Sequence, residues 1–283
     1  MIDLHVHTTM SDGEFTPKEI ITLAKKEGIK VIAITDHDTI DGISQAREEC
    51  IKNGIEFIPG IELSAIDNGK EVHVLGYYID EKNIEFNDFC NKSIQKRNER
   101  NIKFVDLLNR LNVDISMEEI QNSTDSRVIS KIHFADCLLK RKNTTYFREA
   151  FKKYFNKKEF KCIKGEFPSV EECIKNIKKA GGVAVLAHPK ILNHNQQVLE
   201  EKIKEYKSFG LDGVECYYTG HTNSEMREYC NLANKYDLFV TGGTDYHGPV
   251  VSPVVKLGRG LKDNVHITDY SIIENMRKNV ILN

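Results

Sequence analysis

Short apolar runs alternate with amphipathic stretches over the first 80 residues of the chain. Ile2-Asp3-Leu4-His5-Val6 reads as a strand whose downstream end delivers His5 and His7. Thr16-Pro17-Lys18-Glu19 has the form of a capping box with proline at the first helical position. Ile20, Leu23 and Ala24 then share one helical face, and Gly28 supplies a stop. Val31-Ile32-Ala33-Ile34 reads as a buried strand ending at Thr35-Asp36-His37-Asp38, followed by a helix over roughly 41–53 and a strand over 56–62. Strands so continuously apolar predict parallel neighbours shielded on both faces.

The pattern changes between 81 and 165. This stretch is rich in Lys, Asn and Arg, shows no strand pattern, and has helical periodicity near 84–111, 116–122, 129–142 and 145–156. It reads as a helical insertion that caps the main domain. Alternation then resumes with a helix near 169–180, a strand over 183–187 ending at His188-Pro189, and a helix near 197–208. A strand over 213–217, a helix near 223–235 and a strand over 238–241 complete the series, the last ending at Gly242-Gly243-Thr244-Asp245-Tyr246-His247. The expected architecture is α/β: a barrel of parallel strands built from 1–80 and 166–283, interrupted by the helical insertion 81–165.

Composition narrows the function classes. Forty Lys+Arg against 42 Asp+Glu leave a net charge of −2, so no global basic field favours duplex nucleic acid, although a local basic cleft is compatible with it. No apolar run reaches the roughly 18 residues of a membrane helix, and no membrane partner is expected. Seven cysteines, odd in number and without a C-x-x-C pair, argue against a disulfide framework or a thiolate zinc site and for a reduced, cytoplasmic compartment.

The ten histidines are unevenly placed. His5 and His7, His37, Glu62, His188, and Asp245 with His247 all fall at the ends of expected strands, and His73 lies in Glu71–Tyr77, a further expected strand. In a barrel of parallel strands those ends converge at one mouth. Each signal alone is weak. A His-x-His is more often incidental, Thr35-Asp36-His37-Asp38 could be a turn and helix cap, and Glu62 could be a solvated strand end. Coincidence at six strand ends outweighs these readings and predicts a metal cluster. Imidazole with carboxylate suits Mn, Fe or Zn better than Ca or Mg.

The succession His5-x-His7, Ser11-Asp12-Gly13, Thr35-Asp36-His37-Asp38, Gly60-Ile61-Glu62, His73, His188-Pro189 and Gly243-Thr244-Asp245-x-His247 resembles the PHP (polymerase and histidinol phosphatase) family. Within it the chain is most similar to the stand-alone metal-dependent phosphoesterases of the nucleotide and short-oligonucleotide phosphatase type. The resemblance implies a distorted (β/α)7 barrel and two or three divalent ions. It assigns His5, His7, Glu62 and Asp245 to one metal, and Glu62 as a bridge to a second held by His73 and His188. Asp12, His37 and His247 are assigned to a third. Three such ions bring about six positive charges against about three from Asp12, Glu62 and Asp245, an excess suited to a phosphate dianion and hydroxide. The expected reaction is in-line attack on phosphorus by metal-activated hydroxide, with Asp245, His247 and His221 in catalytic roles and no Ser or Cys nucleophile.

Other residues are candidates for reading the substrate. His221 follows a Tyr-rich strand, as in related phosphoesterases, and is expected to contact phosphate or protonate the leaving oxygen; otherwise it is a surface histidine at a helix start. Lys131 and His133 stand where relatives carry Arg-Pro-His, and Arg127 is an alternative phosphate contact a few residues upstream. Arg97 and Arg100, three apart on an expected helix, could face the pocket together, although such charge runs usually form a solvated face. His194 and His266 lie outside every motif and are expected at the surface. The expected substrate is a small phosphorylated molecule: a nucleotide, a nucleoside bisphosphate or a short RNA or DNA end. Alternatives are a histidinol-phosphate phosphatase, a non-catalytic PHP accessory module, and a metal-dependent amidohydrolase.

Overall fold

The computed structural model describes residues 1–192 and 195–281; His194 lies outside them. Seven strands form one sheet in sequence order: β1 (Ile2–Asp3), β2 (Val31–Ile34), β3 (Glu56–Asp67), β4 (Lys70–Tyr77), β5 (Val183–Leu186), β6 (Gly213–Tyr218) and β7 (Phe239–Gly243). Helix α1 (Pro17–Glu27) begins with the expected capping box: Thr16 and Glu19 exchange side-chain and backbone bonds. Helices α2 (Ile43–Asn53), α8 (Val170–Lys179), α9 (Gln196–Phe209) and α10 (Asn223–Lys235) pack outside the sheet in apolar clusters with its outward faces.

The expectation of parallel strands throughout is corrected at β4, which runs antiparallel to both β3 and β5. The cause is local. Asn68 and Gly69 sit at φ 47° and 75°, and two consecutive left-handed residues make the tight reversal whose twist matches a hairpin. Strand β3 therefore continues past Glu62 to Asp67, and β4 returns beside it with His73 opposite Ser64. Glu62 and His73 thus project from within a hairpin rather than from strand ends.

β1 pairs regularly with β2 only at Ile2 and Asp3, shorter than the expected strand. The chain beyond it is stitched to the continuation of β7: Leu4 N donates to Gly242 O (3.2 Å), Asp245 N to His5 O (2.8 Å) and His7 N to Tyr246 O (3.0 Å). These bonds bring the first and last strands together and nearly close the barrel. Its interior is filled by Ile2, Leu4, Val31, Ile58, Tyr77 and Val183, and Ile272, Ile273 and Met276 of α11 (Ser271–Ile281) join this cluster at the N-terminal ends of the parallel strands. The periodicity gave no notice of α11 or of the short hairpin β8 (Val255–Lys256) and β9 (Gly260–Leu261).

Between β4 and β5 the described chain is helical: α3 (Ile84–Arg110), α4 (Met117–Asn122), α5 (Lys131–Lys140), α6 (Phe147–Ala150) and α7 (Lys158–Lys161). They share an apolar cluster around Phe104, Phe134, Phe155 and Phe160. The helix expected over 145–156 is α-helical only in α6, and Phe151–Phe155 form a π-helical turn.

Closure leaves no room at Gly243, where an added Cβ would lie 2.3 Å from His5 N. Gly243→Ala is therefore expected to cost about 2 kcal/mol of stability, the scale of overpacking, measured as a lower urea midpoint at unchanged m-value.

Candidate functional site

Glu62 is the centre of the barrel mouth and is only 1% exposed. Its Oε1 lies 2.8 Å from His73 Nδ1 and 2.9 Å from His188 Nε2. Its Oε2 faces His37 Nδ1 (2.9 Å), His7 Nε2 (3.3 Å) and His5 Nε2 (3.4 Å). Asp245 Oδ1 completes this side, 3.0 Å from His7 Nε2 and 3.4 Å from His5 Nε2. Yet His5 Nε2, His7 Nε2, His37 Nδ1 and Glu62 Oε2 are buried and make no hydrogen bond.

Four orphaned donor-set atoms in one place require an explanation, because buried polar groups are ordinarily paired. A cation supplies one. Metal–ligand bonds of about 2.0–2.2 Å in a tetrahedral site set ligand atoms roughly 3.3–3.6 Å apart, close to the separations on the Oε2 side. His5, His7, Glu62 and Asp245 each offer an atom within 4.8 Å of the others, as do His7, Asp12, His37 and His247, and likewise His37, Glu62 and His73. His188 touches the same Glu62 oxygen as His73. On the third side, His247 Nε2 is 3.3 Å and His37 Nε2 3.9 Å from Asp12.

The electrostatics agree. Burial alone lowers the pKa of the His5 imidazole, but the carboxylates of Glu215, Glu62 and Asp245 outweigh it and push the value well above normal. Burial likewise raises the pKa of Glu62, while His73, His37 and His5 drive it far down. The cluster therefore favours bound positive charge, whether carried by protons or by a metal.

The strands deliver these groups through locally strained backbone. Asp38, His188 and Asp245, just beyond β2, β5 and β7, have φ of 53°, 28° and 54°, a region non-glycine residues occupy at a cost of order 1 kcal/mol or more. Around them runs a buried supporting layer. Glu215 Oε1 accepts from His5 Nδ1 (2.8 Å) while its Oε2 accepts from His188 N (2.8 Å). Asp36 accepts from Thr8 N, Thr8 Oγ1 and Ser11 Oγ at 2.6–2.7 Å, holding the His5–Asp12 loop. Tyr218 donates its hydroxyl to Asp245 Oδ2 (3.1 Å).

The substrate candidates separate. Arg97 and Arg100, against the usual behaviour of a charge run, are each 3% exposed. Arg97 donates from Nε and Nη2 to Asp38 and from Nη2 to Ser64; Arg100 lies 3.5 Å from Glu71 with its guanidinium over Phe104 and Phe167. Both line a cavity with Lys131, beside Asp12, His37 and His73. Burial, then neighbouring Arg97, lowers the Arg100 pKa to about 10. Arg127 is not part of this group: it is bound to Asp41 and Asn91 at the exposed surface. His133 caps its own helix, its Nδ1 accepting from Ser130 N. His221 is buried rather than at the surface; its Nδ1 lies 2.9 Å from Cys216 O and its ring packs against Tyr218 and Tyr229. His266 is exposed, as expected.

Glu215 and Tyr218 are site residues that no motif in the sequence marks, and Asp36 and Asp38, which belong to the Thr35–Asp38 motif, support the site rather than join the cluster. Glu215 had a signal, a carboxylate inside the apolar strand Gly213-Val214-Glu215-Cys216. A charge there is tolerated only when paired.

Imidazoles and carboxylates converging on shared buried points at a barrel mouth form the donor set of a divalent-metal hydrolase. The PHP domain profile matches residues 3–213, and the chain belongs to that family. The 5'-3' exoribonuclease Rnm of Escherichia coli is 30% identical over 261 residues, covering 92% of this chain and 88% of that protein. The 3',5'-nucleoside bisphosphate phosphatase of Chromobacterium violaceum is 28% identical over 269 residues, 95% of this chain and 92% of that one. A crystal structure from Bifidobacterium adolescentis, described as a metal-dependent phosphoesterase, superposes with a TM-score of 0.85 at 30% identity, covering 98% of this chain and 96% of the other.

Supporting partners of metal ligands typically contribute 10–100-fold to ion affinity. Glu215→Gln, which keeps volume but removes one acceptor, is expected to weaken Mn²⁺ or Zn²⁺ binding by that factor in a chelator-competition titration, with an unchanged circular dichroism spectrum.

Proposed function

We propose that the chain is a divalent-metal-dependent phosphoesterase that hydrolyses a terminal phosphate ester on a nucleotide, a nucleoside bisphosphate or a short oligonucleotide. The observation that carries this reading is the set of four unpaired buried atoms around Glu62. His5, His7, Glu62 and Asp245 would hold one ion. The other carboxylate oxygen of Glu62, with His73 and His188, would hold a second, and Asp12, His37 and His247 a third. Mn, Fe and Zn all suit these donors. Divalent ions at these positions acidify coordinated water toward neutral pH and offset charge on phosphoryl oxygens.

The chain's own residues do the rest. Glu215 binds His5 Nδ1 and so fixes the ring with Nε2 turned toward the cluster. Tyr218 and the backbone of His5 orient Asp245. Lys131 and Arg100, beside the His37 and His73 side of the mouth, provide fixed positive charge for the non-reacting phosphate oxygens. Arg97 is already satisfied by Asp38 and serves mainly to hold α3 against β3 and the loop that follows β2.

The seven cysteines are all free thiols, which fits the reduced cytoplasm as the site of action. No described helix is long and apolar enough to cross a membrane.

Exhaustive chelation is expected to abolish hydrolysis of adenosine 3',5'-bisphosphate, with recovery on adding Mn²⁺. Asp245→Ala is expected to lower kcat by at least about 10³-fold while the protein stays folded; near wild-type turnover in this variant would refute the assignment.

A further inference from the structure

Strand β6 carries the one register shift of the seven-stranded sheet among the described residues. Against β7, Glu215 pairs with Thr241, but Tyr217, two residues on, pairs with Gly242. Cys216 is the extra residue, and a bulge of this kind re-aims the side chains that follow it. In an unbroken strand Glu215 and Tyr217 would share a face. Here Tyr217 lines a surface groove with Met226 and Cys230, while Glu215 and Tyr218 both reach the barrel mouth, Glu215 at His5 and Tyr218 at Asp245.

Tyr218 stands where two spaces meet. It and Asp245 line both the cavity of about 390 Å³ over His37, Glu62, His73 and His188 and the groove of about 520 Å³ on the His247 side. Among the described residues it is the one hydroxyl-bearing side chain lining that cavity. Its ring is held on two sides, with the His188 ring centroid 5.2 Å away and that of His221 4.9 Å away. The hydroxyl orients Asp245 in the resting site, but at 3.1 Å from Oδ2, where an O–H firmly bound to a carboxylate lies at about 2.5–2.7 Å. Its proton is therefore free to turn to a better acceptor. The neighbouring donors are not: Lys190 is engaged by Gly220 O and Glu225, and His221, expected to protonate the leaving oxygen, is 4% exposed, lines neither space and is tied through Nδ1 to Cys216 O.

We propose that Tyr218 is a catalytic residue of the hydrolysis, its O–H donating a hydrogen bond to the ester oxygen that leaves phosphorus. The inference rests on the phosphoesterase reading and adds to it the group that stabilises the departing alcohol. As hydroxide derived from water forms the new O–P bond, the P–O bond to the alcohol breaks and its electron pair passes to the leaving oxygen. That alkoxide takes a proton from bulk solvent, so ester and water become alcohol and phosphate. Charge gathers on the leaving oxygen only as the bond breaks, so a donor placed there favours the transition state over the bound ester. A phenol, with an ordinary pKa of about 10, carries its proton at neutral pH and is available as that donor. His188 and His221 fix the ring in advance, and His221 acts as a positioning residue through this contact.

The test uses the full chain and Tyr218→Phe, which keeps the ring and its packing and removes only the hydroxyl. With Mn²⁺ present, kcat/KM is measured on two esters: adenosine 3',5'-bisphosphate, whose leaving group is an alkoxide, and p-nitrophenyl phosphate, whose leaving anion is stable without a donor. The variant is expected to lose about 10²-fold on the bisphosphate, the scale for deleting one donor to a developing oxyanion, and at least about tenfold less than that on the aryl ester. Mn²⁺ affinity, read without substrate by chelator competition, is expected to fall by less than the roughly tenfold that a firm supporting partner contributes. Equal losses on the two esters, no loss on either, or a larger drop in Mn²⁺ affinity would overturn the assignment and leave Tyr218 at most a support for Asp245. Wild-type protein that hydrolyses neither ester would instead overturn the phosphoesterase reading beneath it.

Discussion

The structure depends on one carboxylate being shared. Glu62 is almost wholly buried, yet five imidazole nitrogens from four different backbone segments lie within 3.4 Å of its two oxygens. A lone buried carboxylate would be neutralised by taking up a proton, since desolvation disfavours its charge. Here the surrounding imidazoles hold it ionised, and burial and charge become mutually supporting once a cation occupies the gap. The buried bonds around the mouth keep those four segments in register.

That requirement explains two departures from a regular barrel. A parallel strand ending at Glu62 would leave its carboxylate at the rim, in water. The Asn68–Gly69 reversal extends β3 past it and folds β4 back, so that Glu62 and His73 sit side by side inside a hairpin, in a buried setting. The left-handed backbone at His188 and Asp245 similarly turns side chains inward where a continuing strand would alternate them away. The local cost is offset by second-layer bonds: Glu215 anchors His188 N, and the His5 carbonyl anchors Asp245 N. Strain of this kind persists where surrounding structure over-determines it.

The nine side chains that the structure gathers at the mouth stand out in the sequence because their chemistry is rare and clustered at motif positions. The sequence also disclosed most helices because periodicity and caps are local properties. The direction of β4 is set by the reversal at Asn68-Gly69, two residues that stand between two apolar runs without breaking the strand-by-strand alternation on which a parallel barrel is expected. The sequence hid the fates of Arg97 and Arg127. Both are arginines near charged neighbours; only the tertiary position of Asp38, inside the fold, against Asp41, at its surface, separates a buried structural arginine from an exposed ion pair. Pairwise charge outcomes of this kind depend on contacts between residues 59 or 86 positions apart.

The helical segment between β4 and β5 gives the mouth its asymmetry. On one side α3 and α5 contribute Arg100 and Lys131, cations held over Phe104 beside a small cavity of about 140 Å³. On the other side α6 and the π-helical turn contribute cations that stay exposed along an open groove. The difference is one of desolvation. Burial lowers the pKa of Arg100 and Lys131 and fixes their geometry, which suits a phosphate group that must be held still during reaction. Exposed Arg148 and Lys152 keep their hydration. A single helical segment thus places buried charge on one side of the mouth and hydrated charge on the other.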